Sequence, residues 1–428
     1  MNPSTELIMP NVVLTCLQTG KFKTNCLSVN LLMPLGREAA AKNALIPAVL
    51  CRGTATLPDM AAISSKLDSL YGARIKPVIR KKGEIQVVGL YADFADDAFI
   101  PESGVILEQI TSLVGEMLLM PRTRGGLFLR EYVESEKEQL LEQIRGRINE
   151  KRAYSVQRLF ENMCAMEEYS VDKLGTETEA ESVTANELTR HYHSMLASSP
   201  VEIFYCGGAD PSRVRTAVKS AFSGLPRSEE EPDLGTDIRM NSLEETPRYF
   251  EDVMQVTQGK LAIGFRLGEC MEEPNSAAIR VFNAVYGGSA TSKLFMNVRE
   301  KLSLCYFASS FVDLHKGILA VSSGIEFDKY DAALSEILSQ LDAVKRGDIS
   351  EHELSSAKSS VASDYRTIED SLIALEDFYL NQALIGPDCP PLELAALTEE
   401  ITAGEVVAIA KGVECDAIYF LRGEKEAD

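Results

Sequence analysis

The spacing of apolar residues along this chain switches between two periods, near two and near 3.6, and the switches outline its elements. In the first part, Cys26 to Leu32 reads as a strand, and the pattern turns helical near Glu38–Cys51 and Asp59–Leu70. Strand character returns on both sides of Lys81–Gly83 (RIKPVIRKKGEIQVVGLYA), which predicts two strands joined by a turn. Long helices are expected over roughly 100–119 and 127–164, then a strand over Val201–Cys206. The second part predicts a strand over Lys260–Leu267, helices over 274–286 and 292–302, and strands over 304–312 and 318–325 paired across Asp313–Gly317. Helices near 328–346 and 350–384 and a strand over Ala417–Leu421 follow. Strands grouped with helices predict an α+β fold, with a mainly antiparallel sheet and helices packed on one face in each half.

The two halves echo each other. Val183-Thr184-Ala185-Asn186-Glu187 precedes a helix and a strand, and so does Ile401-Thr402-Ala403-Gly404-Glu405. Both carry Thr-x-x-Glu, a capping box whose hydroxyl and carboxylate satisfy orphan helix amides. One offset, 221 residues, takes Val133 to Leu354 and Arg145 to Arg366. The shared order favours a duplication. Between the halves, Arg227 to Glu245 is polar and acidic and is broken by Pro232 and Gly235, a linker composition. The expected organisation is an N-terminal domain over 1–226, a linker over 227–245 and a C-terminal domain over 246–428.

A chain of 428 residues suits two domains of about 200 each. No apolar run approaches the roughly 20 residues of a membrane span. The first residues (MNPSTELIMPNVVLTCLQTGKFKTN) show no basic segment followed by an apolar core, so no secretory signal is expected. Nine cysteines without a CxxC pair read as reduced thiols, which predicts a cytoplasmic setting. A net charge of −21 argues against nucleic acid and anionic membrane surfaces as partners.

The stretch Asn43 to Ala73 (NALIPAVLCRGTATLPDMAAISSKLDSLYGA) resembles the zinc-binding segment of the M16 family, the insulinase/pitrilysin-type metallopeptidases. In that family an HxxEH helix runs into a Lys/Arg-Gly-Thr turn and a second helix ending in Leu-(Tyr/Gly)-Gly-Ala. With Arg52-Gly53-Thr54 fixing the register, Ala44 and Ala48 stand where the zinc histidines would be, and Pro47 where the catalytic glutamate would be. Glu136 best matches the family's third ligand. A lone carboxylate cannot hold zinc, which needs about three protein ligands, so Glu136 is expected to be an ordinary solvated helix residue. Pro47 removes a backbone donor and is expected to bend its helix. No metal or other cofactor is expected.

The other histidines offer no replacement. His191 and His193 lie two apart on an expected helix and point apart, and His352-Glu353 is followed by Leu354, Ser355 and Ser356 instead of completing HExxH. The GGSATSK segment lacks the glycine before lysine of a phosphate loop.

In the second half, Gly287-Gly288-Ser289 leads through Ser292-Lys293-Leu294-Phe295 to Arg299 and Tyr306. This resembles the family's C-terminal-domain signature. The resemblance implies that Arg299 and Tyr306 hold a substrate carbonyl and stabilise charge on its oxygen. Read locally, Arg299 complements a helix C-terminus and Tyr306 packs on a half-buried strand. Leu70 to Ala73 and the Lys81–Gly83 turn also resemble a bacterial subgroup of short, non-catalytic members. The resemblance implies two LuxS/MPP-like sandwich domains and no catalysis by this chain alone. It implies the inactive subunit of a two-subunit zinc peptidase, whose partner is an HxxEH-bearing M16 subunit and whose substrate is a peptide or unfolded protein added to a sheet edge. A homodimer is the other partner arrangement. Two alternatives stand: a stand-alone pseudopeptidase that binds peptides or proteins as a scaffold or regulator, and an enzyme of other chemistry on a reused scaffold.

Overall fold

A computed structural model describes residues 3–101, 105–228, 232–272, 275–386 and 389–423. The packing divides the chain into two compact units: Met1–Arg145 with Val171–Gly235 and Glu369–Asp388, and Gly146–Ser170 with Thr236–Ile368 and Cys389–Asp428.

The first unit is built on a six-stranded sheet. Its strands are β1 (Ser4–Met9), β2 (Val12–Gln18), β3 (Thr24–Pro34), β4 (Arg74–Lys82), β5 (Ile85–Ala95) and, after a two-residue hairpin of β6 (Thr123–Arg124) and β7 (Leu127–Phe128), β8 (Val201–Gly207). The order is β1-β2-β8-β3-β5-β4, antiparallel except for β2 with β8. Successive side chains on a strand face opposite ways. Leu27, Val29 and Leu31 of β3 therefore join the main core, with Val88, Leu90 and Ala92 of β5. That face carries α1 (Arg37–Leu50), α2 (Met60–Ser69), α3 (Ile106–Leu119), α4 (Arg130–Gly146), α6 (Glu177–Ser182), α7 (Ala185–Ser198) and α8 (Pro211–Ala221). The opposite face is met by α12 (Leu372–Ile385), a helix of the second half of the sequence. Its Glu376 is wholly buried and accepts from Arg80 at 3.1 and 2.6 Å and from Asn30 at 2.9 Å.

The second unit has a five-stranded sheet of β9 (Arg248–Met254), β10 (Gly259–Arg266), β11 (Cys305–Asp313), β12 (Ile318–Ile325) and β13 (Glu414–Gly423). Its order is β11-β12-β10-β13-β9, with β13 and β9 parallel. The helices α9 (Ser276–Asn283), α10 (Tyr330–Lys345), α11 (Glu351–Ile368), α13 (Pro391–Glu400) and α14 (Ala403–Gly412) belong to it. So does α5 (Lys151–Met163), whose Leu159 and Met163 pack on Ala262, Ala417 and Tyr419. Just beyond α5, Glu167 takes Arg266 at 2.6 Å and Lys316 at 2.7 Å in a fully buried cluster.

The packed units are therefore not contiguous stretches. Relative to halves 1–226 and 246–428, residues 146–170 and 369–388 are exchanged. The exchange follows the duplication: the 221-residue offset that takes Val133 to Leu354 also takes Lys151, the first residue of α5, to Leu372, the first of α12. Each helix expected to be single is two. Over 127–164, α4 ends at Gly146 and the turn Arg147–Asn149 follows; over 350–384, Ser371 caps α12 by accepting from the Ala374 amide. Both capping boxes read from the sequence, at Thr184 and Thr402, are formed. Of the expected linker, residues 229–231 lie outside the described residues, and 232–240 have no regular structure.

Candidate functional site

The Arg52-Gly53-Thr54 turn at the end of α1 has a separate physical reason for each residue. A Cβ on Gly53 would lie 2.6 Å from the Pro58 carbonyl oxygen, so only glycine fits. Thr54 is fully buried; its hydroxyl donates to Glu116 at 2.6 Å and accepts from the Leu57 amide at 2.9 Å. Although burial opposes the charge on Glu116, the hydrogen bonds from Thr54 and Thr56 hold its carboxyl below the usual range. Arg52 lies 5.2 Å above the Tyr132 ring and donates to Glu136 at 3.0 Å.

That last contact corrects one expectation. Glu136 is only 8% exposed and carries an ion pair, so it is a fixed, half-internal carboxylate and not a solvated one. On α1, Ala44 is 2% exposed within the main core, Pro47 is buried and Ala48 half-buried. The helix continues through Pro47 to Leu50 despite the missing donor. Among the described residues no three His, Cys, Asp or Glu side chains are grouped to hold a metal. Where the resemblance would put the zinc histidines α1 offers methyl groups, where it would put the catalytic glutamate a pyrrolidine ring, and the candidate third ligand is bound to a guanidinium.

Beneath α1 runs a polar network that the sequence did not reveal. Asn43 donates to Gln86 at 2.8 Å, and Gln86 donates to the carbonyls of Ala40 and Lys173 at 3.0 and 2.6 Å. The Asn43 oxygen lies 2.5 Å from His191 Nε2, so that nitrogen carries the proton when the ring is neutral. Burial, and then the charge of Lys42, lower the His191 pKa to about 4. His193 points out to solvent, as the helix geometry required.

In the second unit, the chain around Gly287 adopts two π-helical segments, Ala284–Gly288 and Leu294–Lys301, where ordinary helix was expected. Such bulges are rare and concentrate at functional sites. Gly287 is needed because a Cβ there would lie 2.6 Å from Ser310 Oγ on β11. Lys293 is buried and pairs with Glu353 at 2.9 Å, which removes it from any phosphate-binding role. The turn at Ser303, with φ of 51°, returns the chain into β11.

Arg299 and Tyr306 are brought together at this turn. Both line a pocket of about 380 Å³ with Ser303, Cys305, Glu326 and Lys329. The Arg299 guanidinium lies 4.7 Å from the Phe295 ring, and its nearest carboxylate is Glu300 at 3.5 Å. It makes no hydrogen bond to any described residue. Tyr306 is 58% exposed, and its hydroxyl donates to Glu326 at 3.0 Å. That bond, and then the carboxylate's charge, raise the Tyr306 pKa; the same bond and Lys329 at 3.3 Å lower that of Glu326. The arginine is thus an uncommitted donor, while the tyrosine hydroxyl is already engaged. Glu326 and Lys329 could not have been found from local sequence, because it is the pairing of Cys305 with Ile325 across β11 and β12 that delivers them.

The family model described as "Peptidase M16 inactive domain" matches residues 182–361. A relative named "Probable inactive metalloprotease YmfF", from Bacillus subtilis (strain 168), is 32% identical over 412 residues, covering 96% of this chain and 95% of its own. The chain belongs to the M16 peptidase family. Within that family it is a homologue of the inactive metalloproteases. A conserved protein from Enterococcus faecalis V583 has the same fold with a TM-score of 0.90 at 27% identity, each chain covered in full. The M16 inactive-domain structure from Pseudomonas fluorescens shares the fold at a TM-score of 0.78 and 15% identity, covering 100% of this chain and 99% of that one. The M16 fold of two sheet-based α+β units is the one described above. Among the described residues, no helix is long and apolar enough to cross a membrane.

Proposed function

We propose that this M16 homologue is the inactive subunit of a two-subunit zinc peptidase and lends Arg299 and Tyr306 to substrate held at a partner's HxxEH site. The observation that carries the reading is the state of Arg299. Its guanidinium sits beside a phenol in one pocket, with hydrogen-bond donors uncommitted. A guanidinium of this kind suits a peptide carbonyl or an oxyanion. The blank α1 face supports the same division of labour, since Glu136 is bound to Arg52 instead of waiting for a metal. Nine cysteines, none of them in a disulfide, support a reducing, cytoplasmic setting.

The stand-alone scaffold reading has its own support in the Tyr306–Glu326 bond, which keeps the phenol engaged without a substrate. Co-expression with an HxxEH-bearing M16 chain from the same genome separates the two. The two-subunit reading expects co-purification and peptide cleavage well above that of the partner alone. Failure to associate, or cleavage no better than the partner's, rejects it and leaves the scaffold.

A further inference from the structure

The two sheets end in four edge strands, β1 and β4 in the first unit and β11 and β9 in the second. Exposed edges invite another strand, and proteins blunt them with charge, proline or bulges. β4 carries Pro77 and the basic residues Arg74, Lys76, Arg80, Lys81 and Lys82. β1 carries Glu6 and an irregular register between Leu7 and Met9. β9 carries Arg248, Glu251 and Asp252. β11 differs: from Cys305 to Val312 (CYFASSFV) it has no charge and no proline, and its register breaks only at its start, between Cys305 and Phe307. Its sole strand neighbour among the described residues is β12, and Phe311 is exposed along its length.

The Arg299 pocket lies at the first residues of this strand, since Cys305 and Tyr306 belong to both. Direction then matters. A peptide added antiparallel to β11, the more stable pairing, runs toward the start of β11 with its own C-terminal end. That end arrives where Arg299 has uncommitted donors. Two carboxylates line the pocket: Glu326 is already paired with Tyr306 and Lys329, and Glu300 lies 3.5 Å from Arg299 Nε, which leaves the two terminal nitrogens of the guanidinium for an incoming carboxylate. A guanidinium takes a carboxylate through two parallel hydrogen bonds.

We propose that β11 and the Arg299 pocket form a recognition site for the C-terminal end of an extended polypeptide, paired antiparallel to β11 with its terminal carboxylate on Arg299. The proposal rests on the peptide-binding reading above and deepens it: hydrolysis of a peptide bond whose carbonyl is held at Arg299 leaves that carbon as the terminal carboxylate of the N-terminal fragment, the chain end named here.

The test uses the full chain and an N-terminally fluorescein-labelled nine-residue peptide of alternating Thr and Val, as free acid and as C-terminal amide, read by fluorescence anisotropy. The free acid is expected to bind at least tenfold more tightly. Arg299→Ala brings both peptides to the affinity of the amide, and Arg299→Lys, which keeps the charge without the fork, retains part of the difference. N-methylation of successive peptide nitrogens should weaken binding at every second position, because only alternate amides face β11. Equal affinity for acid and amide, or a preference that survives Arg299→Ala, overturns the proposal and leaves the two-subunit function standing. Absence of binding by either peptide also overturns it, and the reconstituted cleavage assay judges the function separately.

Discussion

Replacing Glu136 by alanine tests whether the family's metal position has become a structural ion pair. The change leaves Arg52, whose side chain is 23% exposed, without its carboxylate 3.0 Å away. Arg52 has little to fall back on: its Nε is buried without a partner, and the Tyr132 ring 5.2 Å away supplies no acceptor. A charged hydrogen bond contributes about 1.5–3 kcal/mol, and stranding one member of a fully buried pair costs about 3–5 kcal/mol. Partial exposure places this pair near 2 kcal/mol, or about 4–8 °C in Tm for a unit of some 200 residues. Arg52→Ala should cost a similar amount, because the remaining bond to Glu136, from Gln139, is long at 3.5 Å. The double variant Arg52→Ala/Glu136→Ala should then cost clearly less than the sum of the singles, with a coupling of about 1–2 kcal/mol. Urea denaturation of the four proteins measures this, with zinc analysis of each alongside. A loss below about 0.5 kcal/mol for Glu136→Ala, additive singles, or stoichiometric zinc that disappears in Glu136→Ala would refute the reasoning.

Two further outcomes follow from buried polar groups. His191 has a folded pKa of about 4 against an ordinary 6.5, so the unfolded chain takes up the proton first as pH falls. Its contribution is present in full above about pH 6.5 and is lost between there and about pH 4, amounting to about 3 kcal/mol. Urea midpoints of wild type and His191→Gln across that range should show the pH-dependent part shrinking in the variant; an unchanged profile contradicts the assignment. Glu376→Ala removes a wholly buried acceptor from Arg80 and Asn30, but Arg80 keeps Asp377 at 3.6 Å and Asn30 keeps Ser28 at 3.1 Å, so the cost should be that of a charged hydrogen bond, about 1.5–3 kcal/mol. Loss of less than 1 kcal/mol by calorimetry would show that α12 is not anchored there.

Much of the scaffold was legible because its signals are local. The caps at Thr184 and Thr402, the Lys81–Gly83 hairpin and the Arg52-Gly53-Thr54 turn each depend on residues within a few positions. The π-helical turns were not legible, since apolar periodicity does not separate them from α-helix over so few residues. β9 escaped because RYFEDVM groups its apolar and charged residues in pairs, a pattern without the period of two that marks a strand. Helix period continues across Arg147–Asn149 and across Glu369–Asp370, so the breaks, and with them the exchange of α5 and α12, were hidden. At the candidate sites the same rule holds. Arg299 and Tyr306 are seven apart and were found together, whereas Glu136 was misjudged because its partner, Arg52, is 84 residues away.

The central claim is that this chain keeps a substrate-holding element while the metal chemistry resides in a partner. Its most direct test is kcat/KM for peptide cleavage by the reconstituted pair, with wild-type chain and with Arg299→Ala at matched subunit affinity. Loss of one donor to a developing oxyanion typically lowers turnover by about 10²–10³-fold, and a drop of at least tenfold with unchanged association is the predicted result. Equal kcat/KM for the two pairs would contradict the account.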